Sequence, residues 1–183
     1  MPKKNIPNDK QKNPDPSPKR KMRIGILIAV ILVALIIIFM PKKTSNNNSS
    51  SPIAPMFKKQ GSLTLMKQDA KPIISIDIEI ADDDSKREVG MMGRPTMEEL
   101  QGMLFFFPEE IMASFWMKNC ILPLDMIFIN SRGEIVTICK NTEPFSEQAY
   151  EATAPTLYVL EVNAGFTDKY NIKVGDKMTW KRN

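Results

Sequence analysis

The chain has 183 residues, 43% hydrophobic and 25% charged, enough for one folded domain with accessory segments. Its net charge of +4 is an N-terminal property: residues 1–40 hold 8 of the 25 basic and 2 of the 21 acidic residues, so the remainder is slightly acidic and implies no nucleic-acid partner. Histidine is absent, which excludes a His base, a His-dependent triad and a His metal site, and two cysteines cannot supply four thiolates to zinc.

Residues 1–23 are rich in Lys and Pro and carry no apolar face, so they read as a disordered basic arm on the cytoplasmic side. Residues 24–40, IGILIAVILVALIIIFM, contain no charge. As a helix they span ~25 Å, short but workable against a hydrocarbon core of ~30 Å. Eight Lys and Arg residues precede the segment, and only Lys42 and Lys43 follow before a neutral run, which orients the N-terminus inward and the rest of the chain outward. Phe39, Met40 and Pro41 make a poor cleavage site, so the expectation is an uncleaved signal anchor in the cytoplasmic membrane, with a periplasmic or extracellular C-terminal domain. Residues 41–61, with their TSNNNSSSP run, read as a flexible linker.

Residues 62–183 carry the folding signals. Ile74, Ile76, Ile78 and Ile80 alternate with Ser75, Asp77 and Glu79, the pattern of a half-buried strand. Asp82 to Asp84 end it, and Ser85 with Glu88 suggests a capping box on a short helix. QGMLFFFP at 101–108 predicts a buried strand. The stretch FWMKNCILPLDMIFIN, 115–130, predicts two strand segments meeting at Pro123, which cannot donate to a ladder. Ser131-Arg132-Gly133 is a turn, returning through a hairpin partner at 134–140. Partners in that hairpin should sum to 264 or 265, whereas Cys120 and Cys139 sum to 259, so a disulfide is not expected. The polar excursion 141–156 precedes an apolar strand at 157–163 and a final strand at 177–180. Short strands with little helix predict a mainly β domain, a sandwich or barrel.

Two acids stand inside apolar strands, Asp125 and Glu161. A buried carboxylate needs a partner or a shifted pKa, and Lys118 is the first candidate partner, Arg94 the second. Arg94, Trp116, Lys118, Asn119, Asp125, Glu161 and Asn163 would line a polar cleft for a small polar ligand such as a sugar. The same Asp125 and Glu161 would serve a hydrolase of the glycosidase type if they faced each other across an open cleft. The bland alternative is a structural ion pair of Lys118 with Asp125 or Glu161. Met91, Met92, Met103 and Met117 read first as gap-filling core residues, with a soft-metal site the minority reading; no cofactor is implied.

The series GMMGR (90–94), GMLFFF (102–107), FWMKN (115–119), PLDMIFI (123–129), VLEVNAG (159–165) and GD (175–176) resembles domain of unknown function family 192 over about residues 62–181. The resemblance implies a mainly β, jelly-roll-like sandwich or barrel, with one or two short helices here, in bacterial and archaeal proteins often exported or membrane-anchored. It implies no established activity. The family usually has Thr where this chain has Cys120. Function is therefore expected to be a membrane-anchored binding or accessory module for a small polar ligand, an envelope glycan or a protein partner.

Overall fold

The computed structural model describes residues 56–183. The expected arm, membrane segment and most of the linker lie outside the described residues, and no helix among these is long and apolar enough to cross a membrane. Nine strands and two short helices follow in the order β1 (Gly61–Met66), β2 (Pro72–Ala81), α1 (Asp84–Val89), β3 (Gln101–Ile111), β4 (Ser114–Phe115), β5 (Leu124–Ile129), β6 (Ile135–Cys139), β7 (Tyr150–Glu151), β8 (Thr156–Asn163), α2 (Phe166–Lys169) and β9 (Lys177–Arg182).

Seven strands form one mixed sheet in the order β6-β5-β8-β3-β2-β1-β9, and β4 pairs separately with β7. β2 and β3 are parallel, which requires a crossover, and α1 lies in it. The other ladders in the large sheet are antiparallel. The two outermost strands meet at one end: Glu134 bridges to Lys177, the Ile135 amide donates to the Asp176 carbonyl at 2.8 Å and the Met178 amide to the Gly133 carbonyl at 2.7 Å. The expectation of a mainly β domain with one or two short helices holds, with the strands in a seven-stranded mixed sheet and a two-stranded one.

Two apolar clusters lie on the two faces of the sheet. One gathers Leu63, Ile78, Ile80, Leu104, Ile127 and Leu160, with others, inside the curl. The second gathers Met103, Phe105, Met126, Phe128 and Val159 on the opposite face, where Met91, Met117 and Cys120 cover them. With both faces covered, β5 is buried at all six positions, which is why its sequence is continuously apolar rather than alternating. Phe115 ties the second cluster together, meeting Phe105 edge-on at 5.0 Å and Phe128 at 6.0 Å.

Local signals fared unevenly. The β5–β6 register pairs Met126 with Cys139 and Ile129 with Ile135, sums of 265 and 264 as expected, with a bulge between Phe128 and Ile129. Both cysteines are free thiols. The helix cap lies two residues earlier than the Ser85 reading: Asp83 is the N-cap, its carboxylate accepting from the Lys86 amide at 2.8 Å. The strand expected over 115–119 ends at Phe115, and Lys118 and Asn119 occupy a turn closed by the Cys120 amide on the Met117 carbonyl at 3.0 Å. Asn119 has φ +58°, a conformation that breaks a ladder and that Asn tolerates better than most residues. The last linker residues belong to the domain: the Lys58 amide donates to Glu79 and the Gln60 side chain accepts from the Ile80 amide at 2.7 Å.

Candidate functional site

The strand registers place Glu79, Met103, Glu161, Met126 and Cys139 in one row across β2, β3, β8, β5 and β6. Residues directly opposite in neighbouring strands project to the same face. One position along, Ile80, Leu104, Leu160 and Ile127 form the parallel row that faces the interior of the curl. Glu161 therefore emerges on the face covered by α1 and the segment before β5. It is 3% exposed, and its Oε2 has no hydrogen-bond partner among the described residues. Burial pushes its carboxyl from 4.5 up to about 8, so it is mostly protonated at neutral pH.

A pocket of about 270 Å³ opens beside it. Phe105, Phe107, Phe115 and Trp116 are among the residues that line it, with Met91 and Met92. Phe115 stands nearly perpendicular to both Phe105 and Phe107, at 89° and 88°, so the rings bound the space from different directions. Gly90 lies in the rim; its φ of +45° and the Phe105 ring 3.0 Å from where a Cβ would stand both favour glycine. Cys120 faces the same pocket, its thiol pushed up to about 12 by burial and by the nearby Glu161 charge. A thiol held that high is not a nucleophile at neutral pH.

The protein's own cations near this space are engaged. Arg87 donates to the Phe106 carbonyl at 2.7 Å, pairs with Asp84 at 2.5 Å and lies 5.4 Å from the Phe107 centroid. Lys118 lies 5.1 Å from the Trp116 centroid. Arg94 is 8% exposed and pairs with Glu79, which also accepts from the Lys58 amide at 2.8 Å. That pair borders a neighbouring hollow of about 300 Å³, which shares Val89 and Gly90 with the first.

The seven residues singled out from sequence do not form one cleft. Glu161 and half-exposed Trp116 share the pocket, with Lys118 over the tryptophan and Asn119 donating weakly to Met92 Sδ at 3.8 Å. Arg94 is next door with Glu79. Asn163 instead holds a loop, donating to the Met97 carbonyl at 3.0 Å and the Glu98 carbonyl at 3.2 Å. Asp125 pairs across the ladder with Val162 and so projects opposite to Glu161. Its two oxygens accept from the amides of Asn141 (2.9 Å), Gly165 (3.2 Å) and Thr167 (2.9 Å) and from the Thr167 hydroxyl (2.6 Å). With the sheet between the two acids, the glycosidase geometry fails, and so does the ion pair of Lys118 with either of them, because Lys118 is exposed on the turn. Met91, Met103 and Met117 lie in one apolar cluster with Met92 packed against it, as core residues, and Met117 Sδ accepts from the Thr142 hydroxyl at 3.1 Å.

Sequence reasoning passed over three contributors. Glu79 looked solvated because it alternates with isoleucines, yet it is 8% exposed. Cys120 looked individual, and the aromatic run Phe105 to Phe107 looked like uniform core. The signal available was the density of rings at 105–107 and 115–116, five within twelve residues.

Comparison with known proteins agrees with this architecture. The model of the family described as Uncharacterized ACR, domain of unknown function 192, matches residues 64–180. The chain belongs to this family. It is 29% identical over 106 residues to a UPF0127 protein of Thermococcus sibiricus, covering 57% of this chain and 66% of that protein. A UPF0127 protein of Pyrococcus furiosus is 28% identical over 111 residues, covering 60% and 90%. Among solved structures, a candidate transcription regulator from Sinorhizobium meliloti 1021 is 37% identical with a TM-score of 0.64, covering 69% of this chain and 98% of that one. A protein of unknown function from Novosphingobium aromaticivorans is 33% identical with a TM-score of 0.62, covering 65% and 84%.

Proposed function

We propose that this family domain is a binding module, held at the outer face of a membrane by residues 24–40, whose site is the aromatic pocket over Glu161. The observation that carries the reading is that Glu161, whose buried Oε2 has no hydrogen-bond partner among the described residues, lines an open space together with four aromatic residues. Buried polar atoms are normally hydrogen-bonded, and the exceptions concentrate where a ligand completes the set. An extended sugar is the weaker fit, because Asn163, Asp125 and Lys118 spend their polar groups elsewhere. A compact ligand with an apolar body and one polar head suits the walls and the single carboxyl. Membrane attachment is supported by the uncharged segment 24–40 and the eight basic residues before it. The description of the Sinorhizobium relative as a regulator is not carried over, since the chain beyond residue 40 has no basic excess.

The test is a thermal-shift screen of the full chain in detergent against small amines, alcohols and aromatic compounds, with Phe115→Ala and Trp116→Ala as pocket variants. Hits that stabilise the parent chain and not the variants support the site. Equal stabilisation of all three, or none at millimolar ligand, counts against it. Protease added to sealed cells should remove residues beyond 41 and spare the arm; protection of the domain would reverse the orientation.

A further inference from the structure

We infer that the ligand of this pocket carries an organic cation, an alkylammonium or quaternary ammonium head, with Glu161 as its counter-charge and the surrounding rings as its cage. The inference rests on the reading of the pocket as a ligand site and names the chemistry of the occupant.

The row across the sheet carries two acids. Glu79 and Glu161 flank Met103 on the same face. Glu79 has a guanidinium, that of Arg94. Glu161 has none among the described residues: of the three protein cations nearby, Arg87 pairs with Asp84 and a carbonyl, Arg94 pairs with Glu79, and Lys118 is exposed on its turn over the Trp116 ring. A ligand would supply the counter-ion that the described residues lack. The walls suit a diffuse cation better than a compact hydrated one. Ring faces attract positive charge through their quadrupole, and two of these rings already have a protein cation beside them. Met91 and Met92 add polarisable sulfur. About 270 Å³ lies just below the usual ~300–1,000 Å³ of ligand pockets, room for an ammonium head and a short chain.

The electrostatics add a signature. The groups turned to this space are Arg87 and Glu88 from α1 and Cys120 from the segment before β5, with Lys118 over the rim; β3 and β5 present Met103 and Met126 beside Glu161. Cys120 stays a neutral thiol at physiological pH. Glu161, protonated in the empty pocket, ionises when the cation enters, and its proton leaves to the buffer. Charge balances: the cation keeps its charge and the carboxylic acid becomes a carboxylate.

The experiment is isothermal titration of the full chain in detergent with choline and with its neutral carbon isostere, 3,3-dimethylbutan-1-ol, in buffers of different ionisation enthalpy. Choline should bind with release of about 0.9 proton at pH 7, and its affinity should rise about 50-fold from pH 6 to pH 8. The alcohol should bind more weakly and release none. Glu161→Gln should abolish proton release and lower choline affinity tenfold or more while leaving the alcohol unchanged. Equal binding of the two probes, or choline binding without proton release, overturns the cation assignment and leaves the pocket reading standing. Binding of neither probe overturns both.

Discussion

Asp125 and Glu161 stand on adjacent strands, one position out of line, and both are almost fully buried. Asp125 accepts four hydrogen bonds that fasten β5 to the segment after β6 and to the start of α2. Glu161 has an oxygen that accepts none, and an open pocket beside it. Burial of an acid in an apolar strand thus has two meanings. Where donors converge, the carboxylate is a structural knot; where none do, burial holds the group in its neutral form.

That contrast can be broken by substitution. Asp125→Ala leaves three amides and a hydroxyl without their acceptor, the Thr167 amide and hydroxyl fully buried, and should cost about 3–5 kcal/mol in chemical denaturation. A loss below ~1 kcal/mol would mean that water or local rearrangement replaces the carboxylate. Arg94→Met strands Glu79 in the same sense and should cost about 3 kcal/mol, much of it recovered in the double variant with Glu79→Met.

Glu161→Gln should do the opposite, and only at alkaline pH. Between pH 4.5 and about 8 the folded chain retains a proton that the unfolded chain has released. The contribution of this group is therefore greatest below its unfolded pKa and falls as pH rises through that window, by a few kcal/mol at its upper end. The Gln variant should match the parent near pH 5, exceed it at pH 9 and show a flatter profile in urea titrations. A parent profile already flat from pH 5 to pH 9 would place a partner on Glu161. The smallest effect belongs to Lys118→Met, which removes an exposed cation from the Trp116 face and should change the thermal midpoint by the equivalent of roughly 0.5–1 kcal/mol.

The sequence was legible where structure follows from neighbours along the chain. The isoleucine alternation of β2, the Ser131-Arg132-Gly133 turn and the β5–β6 register all follow from local periodicity and turn chemistry. Asp125 and Glu161 also stood out as acids within apolar strands, which left them to be paired, exposed at a strand end or shifted in pKa; both are buried. What stayed hidden depends on what lands on a strand from far away. Glu79 sits on the polar side of an alternating strand and is buried because the crossover brings Arg94 over it. The 115–119 run obeys a two-residue period on paper, but the left-handed backbone at Asn119 turns it out of the sheet and carries Lys118 to the surface. Local pattern tells which residues are buried; their partners are a long-range property.

The pairing of β1 has a consequence for how the domain is made. One edge of β1 is covered by β2, which follows within a few residues, and the other by β9, more than a hundred residues later. The Asn183 amide closes that seam on the Gln60 carbonyl at 3.0 Å. During synthesis β1 waits with an open edge until residue 182 has emerged, a template for pairing with another nascent chain. Loss of the last strand, even with the pocket untouched, would therefore show as aggregation rather than as weakened binding.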